Sequence, residues 1–133
     1  MRLINVRPHM PTGIRLLSMS YALVAARAIA ASVGDYGGAY EGDSRACWNS
    51  RLVLTEKTIS WGVCRDIPFR IIERDEDHLT IELTDGECRF DIVKFERKAK
   101  DPSLGAEISR YKTRADYDRS YPSLSCWYSP ARR

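Results

Sequence analysis

Histidine is scarce in this sequence, and its scarcity removes several kinds of active site. Only His9 and His78 occur among 133 residues, and only His78 lies beyond residue 30. Serine and cysteine nucleophiles usually need a histidine base, and no pair of carboxylates is set apart for hydrolysis. The sequence therefore predicts no catalytic residues and favours a protein that is not an enzyme.

Metal and phosphate motifs are also missing. The four cysteines, Cys47, Cys64, Cys88 and Cys126, are 17, 24 and 38 residues apart, whereas zinc sites draw on close pairs such as C-x-x-C. The turn "DEDH" before the strand at His78 lacks the longer ligand spacing of a calcium loop. "GDYGGAYEG" is not followed by a lysine or a helix, as a phosphate loop would be. We expect no metal and no cofactor.

An apolar run long enough to span a bilayer is absent too, because residues 16–26 are too few. A basic stretch precedes that run and "AIA" follows it at residues 28–30, which is the layout of a secretory signal peptide. We expect residues 1–30 to be a signal peptide and residues 31–133 to be one exported domain, periplasmic or secreted, without a permanent membrane span. An N-terminal helix packed on the domain is the alternative.

The positive charge of the chain is concentrated in that leader. The whole chain has 21 basic and 18 acidic residues, and four arginines but no acidic residue lie in residues 1–30. Removing them leaves 17 basic and 18 acidic residues, a net charge of −1. This near-neutral balance argues against nucleic acid as a partner.

The sequence does contain a series of short runs in which apolar and polar residues alternate. No helical period lasts three turns beyond residue 34, so the pattern predicts an all-β domain, either a small antiparallel up-and-down barrel or a flattened sandwich. In "RLVLTEKTISW", a turn at Glu56-Lys57 pairs Leu54 with Ile59 and Leu52 with Trp61. The eight predicted strands cover residues 36–41, 51–55, 58–64, 68–74, 78–84, 87–95, 107–112 and 123–128.

The stretch "LTIELTDGECRF" predicts a hairpin at Asp85-Gly86, which is a strong signal for a type I′ turn. That register pairs Leu83 with Cys88, Ile81 with Phe90 and Leu79 with Ile92. On the other face it pairs Glu82 with Arg89 and Thr80 with Asp91. Cys88 would then face the core as half of a cystine rather than as a reactive thiol.

An even number of cysteines in a small exported domain predicts two disulfides. In a meander, Cys47, Cys64 and Cys88 fall at one end and Cys126 returns beside the first strand. This placement favours Cys64 with Cys88 and Cys47 with Cys126. A bond between Cys47 and Cys64 is a second arrangement that the same geometry allows.

Several of these features together resemble the small exported, cysteine-containing β-barrel proteins of proteobacteria. They are the signal-like leader, the Gly-aromatic first strand, the cysteine in the next loop, the "LVLT…ISW" hairpin and the cysteine in the last strand. The resemblance covers residues 36–128 as a pattern. Such proteins include inhibitors of host lysozymes and of the bacterium's own secreted proteases, so it implies a noncatalytic protein that binds a partner.

The segment "SRYKTRADYDRSY" at residues 109–121 is the candidate binding surface, because tyrosine and arginine are enriched at interface hot spots. The alternative is that its tyrosines plug the barrel end or cover its seam while its arginines are solvated or paired with Asp116 and Asp118. Other roles that remain open are a small-ligand-binding barrel and an envelope structural protein. The candidate partner-binding residues are Arg110, Tyr111, Arg114, Tyr117, Arg119 and Tyr121.

Overall fold

The structure is a computed structural model that describes residues 31–43, 45–47, 50–84 and 88–131. The predicted signal peptide at residues 1–30 and the predicted turn at Asp85-Gly86 lie outside the described residues. Residues Ala31–Arg133 form one compact unit.

The fold is a closed antiparallel barrel of eight strands in which each strand pairs with its neighbours in sequence and β8 pairs with β1. The predicted up-and-down barrel is therefore confirmed, and the closed sheet excludes the flattened sandwich. All eight predicted strands are present, with shifted ends. They are β1 (Gly38–Gly42), β2 (Arg51–Leu54), β3 (Thr58–Trp61), β4 (Cys64–Arg74), β5 (His78–Leu83), β6 (Ile92–Glu96), β7 (Ala106–Tyr111) and β8 (Leu124–Pro130).

The β2–β3 hairpin has the predicted register, with Leu52 opposite Trp61 and Leu54 opposite Ile59. Its turn has neither glycine nor asparagine, and Thr55 supplies the missing stabilisation. The Thr55 hydroxyl accepts hydrogen bonds from the backbone N–H groups of Lys57 (3.2 Å) and Thr58 (2.9 Å). A side chain thus closes a turn that the backbone alone would favour weakly.

The predicted register of the next hairpin is wrong. Leu79 pairs with Phe95 and Ile81 with Val93, a shift of three residues, and β6 begins only at Ile92. Because side chains alternate across a strand, an odd shift changes which face is buried. The shift therefore directs Val93 and Phe95 inward and Ile92 outward.

The predicted contacts of that hairpin change with its register. Glu82 lies opposite Ile92, and Thr80 lies opposite Lys94. The carboxylate of Glu82 accepts hydrogen bonds from Arg70 on β4 instead of pairing with Arg89. Residues 88–91 belong to a connection rather than to a strand.

The barrel interior is filled with large apolar side chains, as an eight-stranded barrel of this size allows. Aromatic rings contact one another across it, with Trp61 meeting Tyr128 edge-on at 5.6 Å between centroids. The Trp61 indole N–H donates to the Tyr128 hydroxyl at 2.9 Å. Other fully buried members of the core are Leu52, Leu54, Ile59, Leu79, Ile81, Phe95 and Ile108.

A short helix, α1 (Arg114–Asp118), lies on the outer face of the barrel wall. Thr113 caps it by accepting a hydrogen bond from the N–H of Asp116 at 3.1 Å. Thr80, which contacts Tyr117 of this helix, and Ile92, which lies opposite Tyr111, are fully buried although they point away from the interior. The outer wall therefore has a small apolar layer of its own.

The two ends of the barrel differ in their connections. We call the lower end the one that carries the turns at residues 55–57 and 75–77, the connection 97–105 and the entering segment 31–37. The upper end carries the connections 43–50, 62–63, 84–91 and 112–123.

Both cystines hold connections of the upper end. Cys47 is bonded to Cys126, with Cα atoms 6.3 Å apart, and Cys64 to Cys88, with Cα atoms 5.9 Å apart. This is the arrangement that the sequence favours over a bond between Cys47 and Cys64.

Candidate functional site

The candidate site is the open upper end of the barrel, and Arg110 is its central residue. The alternation Ala106, Ile108, Arg110 along β7 directs all three side chains inward, and Arg110 is the last of them before the strand ends at this mouth. Its guanidinium carbon lies 5.2 Å from the centroid of Trp61 and 5.1 Å from that of Phe90. A cation held over two aromatic rings is attracted by their negative faces.

The mouth is a concave surface with a volume of about 630 Å³. Its floor is aromatic, since the rings of Trp61 and Phe90 meet edge-on at 5.6 Å and are almost fully buried. Its rim is basic, with Arg89 and Lys112 exposed beside Arg110. The other lining residues are Gly62, Val63, Cys64, Cys88 and Ser123.

The cations of this mouth have no carboxylate partner in the part of the chain that the structure describes. The ion pairs among the described residues involve other side chains. None of them includes Arg89, Arg110 or Lys112. No acidic residue is among the described residues that line the mouth. Among the described residues, the charges that line the mouth are thus all positive, a distribution that attracts anionic groups.

An apolar side chain projects beside these cations. Val63 is 96% exposed at the tip of the β3–β4 turn, where Gly62 has φ +64°, a left-handed conformation that glycine adopts without a steric cost. The Cys64–Cys88 cystine joins the end of this turn to the connection that carries Arg89 and Phe90. The rim is thus covalently fixed, which reduces the entropy that a ligand would have to remove on binding.

The six predicted binding residues do not form one surface. Arg110 lies in the mouth, whereas Tyr111 is buried on the outer wall and meets Tyr117 edge-on at 5.2 Å. Arg114 lies 3.4 Å from Glu82 and Arg119 lies 2.6 Å from Asp116. Tyr121 is 71% exposed. Apart from Arg110 and Tyr121, the segment mainly covers the outer wall rather than the barrel end or its seam. Its arginines Arg114 and Arg119 are paired with Asp118 and Asp116, as the alternative to a binding role predicts.

Hydrogen bonds fix Tyr117 in that position. Its hydroxyl donates to the carboxylate of Glu73 at 2.6 Å and lies 3.3 Å from the hydroxyl of the buried Thr80. Burial raises the pKa of the Tyr117 phenol, and the hydrogen bond to Glu73 raises it further. This tyrosine therefore stays protonated and serves the packing of the wall.

Sequence reasoning did not identify Arg89, Lys112, Val63 or the aromatic floor as parts of one site. Arg110 could have been separated from its tyrosine-rich neighbours by the inward alternation of β7. The position of Phe90 beside Trp61 could not be inferred, because it depends on a long-range contact and not on local alternation.

The acidic turn before His78 is stabilised by local hydrogen bonds. The Asp75 carboxylate accepts backbone hydrogen bonds from Asp77 and His78 at 2.8 and 2.9 Å, and these bonds, that from Asp77 foremost, lower its pKa. The His78 ring lies between Asp75 and Glu96, at 3.2 and 3.3 Å. Among the described residues, no group of histidine, cysteine and acidic side chains could hold a metal ion.

Comparisons with known proteins give no assignment. The chain matches no protein-family model, and no curated protein or solved structure resembles it at a significant level. Within the described ranges, no helix is long and apolar enough to cross a membrane. Two cystines fit a protein that matures in an oxidising compartment.

Proposed function

We propose that this protein is an exported, noncatalytic binding protein that holds a protein partner at the upper end of its barrel, as an inhibitor or an immunity-like factor would. The observation that carries the proposal is the mouth itself, where cations without carboxylate partners among the described residues surround an aromatic floor. Arginine and aromatic side chains together are the usual composition of binding hot spots.

The rigidity of the mouth supports the same function. One cystine joins the β3–β4 turn to the connection 84–91, and the other joins the connection 43–50 to β8. A pre-organised surface binds more tightly than a mobile one of equal area, because less conformational entropy is lost. The pattern-level resemblance to exported barrel inhibitors is in keeping with such a role.

Site-specific photo-crosslinking tests the proposal. A photoreactive amino acid is placed at Val63 in the mouth or, as the matched control, at Leu104, which is 55% exposed at the lower end. Cells expressing the full chain should give one discrete protein adduct from position 63 and none from position 104. Purified captured protein should then bind the oxidised chain directly.

Equal adducts from both positions, or no adduct from position 63, would contradict the proposal. The two positions are both exposed and apolar, so they control for nonspecific hydrophobic capture.

A second candidate, a small-ligand-binding barrel, is favoured by one observation. The interior is filled, but the mouth volume of about 630 Å³ falls in the range of small-molecule sites, roughly 300–1,000 Å³. Native mass spectrometry of the chain purified from its own cells distinguishes the two functions. A retained small molecule that leaves when Arg110 is replaced by glutamine, in a variant that thermal unfolding shows to be folded, would favour the ligand carrier.

A further inference from the structure

At the lower end of the barrel, an arginine that lies over an aromatic ring also has a carboxylate partner. The guanidinium carbon of Arg97 lies 3.8 Å from the centroid of Tyr36. Its Nη1 lies 3.0 Å from the carboxylate of Asp35, and its side chain is only 7% exposed. The ring and the carboxylate together satisfy a cation that is almost completely removed from water.

The upper end also has an arginine over aromatic rings. Arg110 stacks over Trp61 and Phe90, as Arg97 stacks over Tyr36. No carboxylate of the described residues lies within ion-pair distance of Arg110. Its planar guanidinium is therefore oriented by the rings while its N–H donors are left for an acceptor from outside.

We infer that the upper end binds an acidic segment of the partner protein, with a carboxylate on Arg110 in the role that Asp35 plays for Arg97. The inference rests on the proposed function and specifies the chemistry of the partner. Arg89 and Lys112 bind further carboxylates of the same segment. Val63, exposed on the rim, provides contact for an apolar side chain next to them.

A protein segment fits this site better than other anions do. Nucleic acid is held by basic stripes that extend over many phosphates, and anionic membranes are held by clusters of four to eight cations. Here three cations surround one concave mouth, and the remainder of the chain beyond residue 30 is close to neutral. Arginine and carboxylate also match geometrically, because two parallel N–H···O bonds can form between them.

The experiment uses a random peptide library displayed on phage and selected on the oxidised full chain. Selected peptides should be enriched in aspartate and glutamate flanking an apolar residue. Synthetic copies should bind more weakly as salt is raised, because charge pairs at a rim are screened. Arg110→Gln should weaken their binding about tenfold to a hundredfold, the value of hydrogen bonds to a charged group.

Charge-matched controls distinguish binding at the mouth from general electrostatic attraction of acidic peptides to the chain. The mouth variant replaces Arg89, Arg110 and Lys112 by glutamine and should lose binding. The control replaces the exposed lower-end lysines Lys57, Lys98 and Lys100 by glutamine, which removes the same charge, and should bind like the wild type. Arg110→Lys keeps the charge without the planar fork and should bind several-fold more weakly than the wild type. Thermal unfolding of each variant verifies that the barrel is folded.

Four outcomes would overturn the inference. They are an equal loss of binding in the lower-end control, selection of neutral peptides, failure to select any peptide, and binding to phosphatidylglycerol vesicles or a single-stranded oligonucleotide without binding to acidic peptides. Neutral apolar peptides that still require the mouth would leave the proposed function standing while removing the acidic partner. An absent adduct at position 63 would remove the proposed function instead.

Discussion

The two ends of the barrel both place an arginine over aromatic rings, yet only the lower one completes the arrangement within the described part of the chain. At the lower end, the segment 31–37 contributes Tyr36 and Asp35, and Arg97 becomes almost inaccessible. At the upper end, Arg110 lies over Trp61 and Phe90 in an open mouth. The same side-chain chemistry thus contributes to packing at one end, whereas at the other it has no carboxylate partner among the described residues.

The cystines sharpen this difference, because both hold connections of the upper end. Removing either one should destabilise the barrel more than the substitutions of Arg97, Arg110, Tyr117 and Glu82 described below. In the loop-entropy account, a Cys47→Ala, Cys126→Ala variant loses about 4.5 kcal/mol and a Cys64→Ala, Cys88→Ala variant about 3.4 kcal/mol. The larger loss follows from the longer separation, 79 against 24 residues. Urea unfolding of both variants measures the difference, and the reverse order would argue against loop entropy as the cause.

Parallel substitutions of the two arginines test the comparison directly. Arg97→Gln should lower the free energy of unfolding by about 2 kcal/mol, because a desolvated cation–π contact and an ion pair are lost together. Arg110→Gln should cost about 1 kcal/mol or less and should instead weaken partner binding. Equal losses of stability in chemical denaturation would show that the upper arginine is structural as well.

The outer wall offers a test of whether the tyrosine segment takes part in recognition. Tyr117→Phe keeps the ring against Tyr111 and removes the hydroxyl that binds Glu73. We expect a loss of about 1 kcal/mol, the usual contribution of one hydrogen bond. Crosslinking from Val63 should be unchanged, and a reduced yield would extend the binding surface to α1.

The smallest expected effect concerns pH. The hydrogen bond from Arg70 is the main cause that holds the pKa of Glu82 below its ordinary value of 4.5, and Arg114 adds to it. A carboxylate with a lowered pKa in the folded state stabilises the fold above pH 4.5 and loses that contribution as pH falls through the folded value. Glu82→Gln should therefore cost roughly 0.5 kcal/mol near pH 7.

That difference between Glu82→Gln and the wild type should shrink below pH 4.5. Denaturation curves at pH 7 and pH 3 measure it. An unchanged difference at pH 3 would mean that packing, not charge, is responsible.

The barrel could be predicted from the sequence because its strands show a local pattern, the alternation of apolar and polar residues. In β2 and β3 one face is apolar and the connecting turn is short, so only one register buries Leu52, Leu54, Ile59 and Trp61. The predicted number and order of strands held for the same reason. Closure between β1 and β8 was consistent with the position of Cys126.

The predicted β5–β6 register was wrong because both faces of this hairpin are partly buried. Thr80 and Ile92 are covered from outside by the segment that contains α1, and alternation alone cannot choose between two buried faces. A strong local turn signal at residues 85–86 then favoured the wrong pairing. Long-range contacts, Cys88 with Cys64 and Phe90 with Trp61, decide where residues 88–90 lie.

The site was harder to predict than the fold. Its residues come from three separate connections and from the ends of strands β3, β4 and β7. Only the closed barrel brings Arg89, Arg110 and Lys112 together. Composition singled out the segment that contains Arg110, one of the residues of the mouth. It could not show that the neighbouring tyrosines face the wall.

The order of the cystine partners along the chain has a consequence for biogenesis. Cys64 and Cys88 are both present once β6 has been made, whereas Cys47 must wait for Cys126 in β8 before their bond can form. Until then, Cys47 is unpaired while Cys64 and Cys88 arrive, and oxidation in order of appearance would join Cys47 to Cys64. We therefore expect an oxidoreductase that rearranges disulfides to speed maturation, because the first two cysteines to appear are not partners in the native protein.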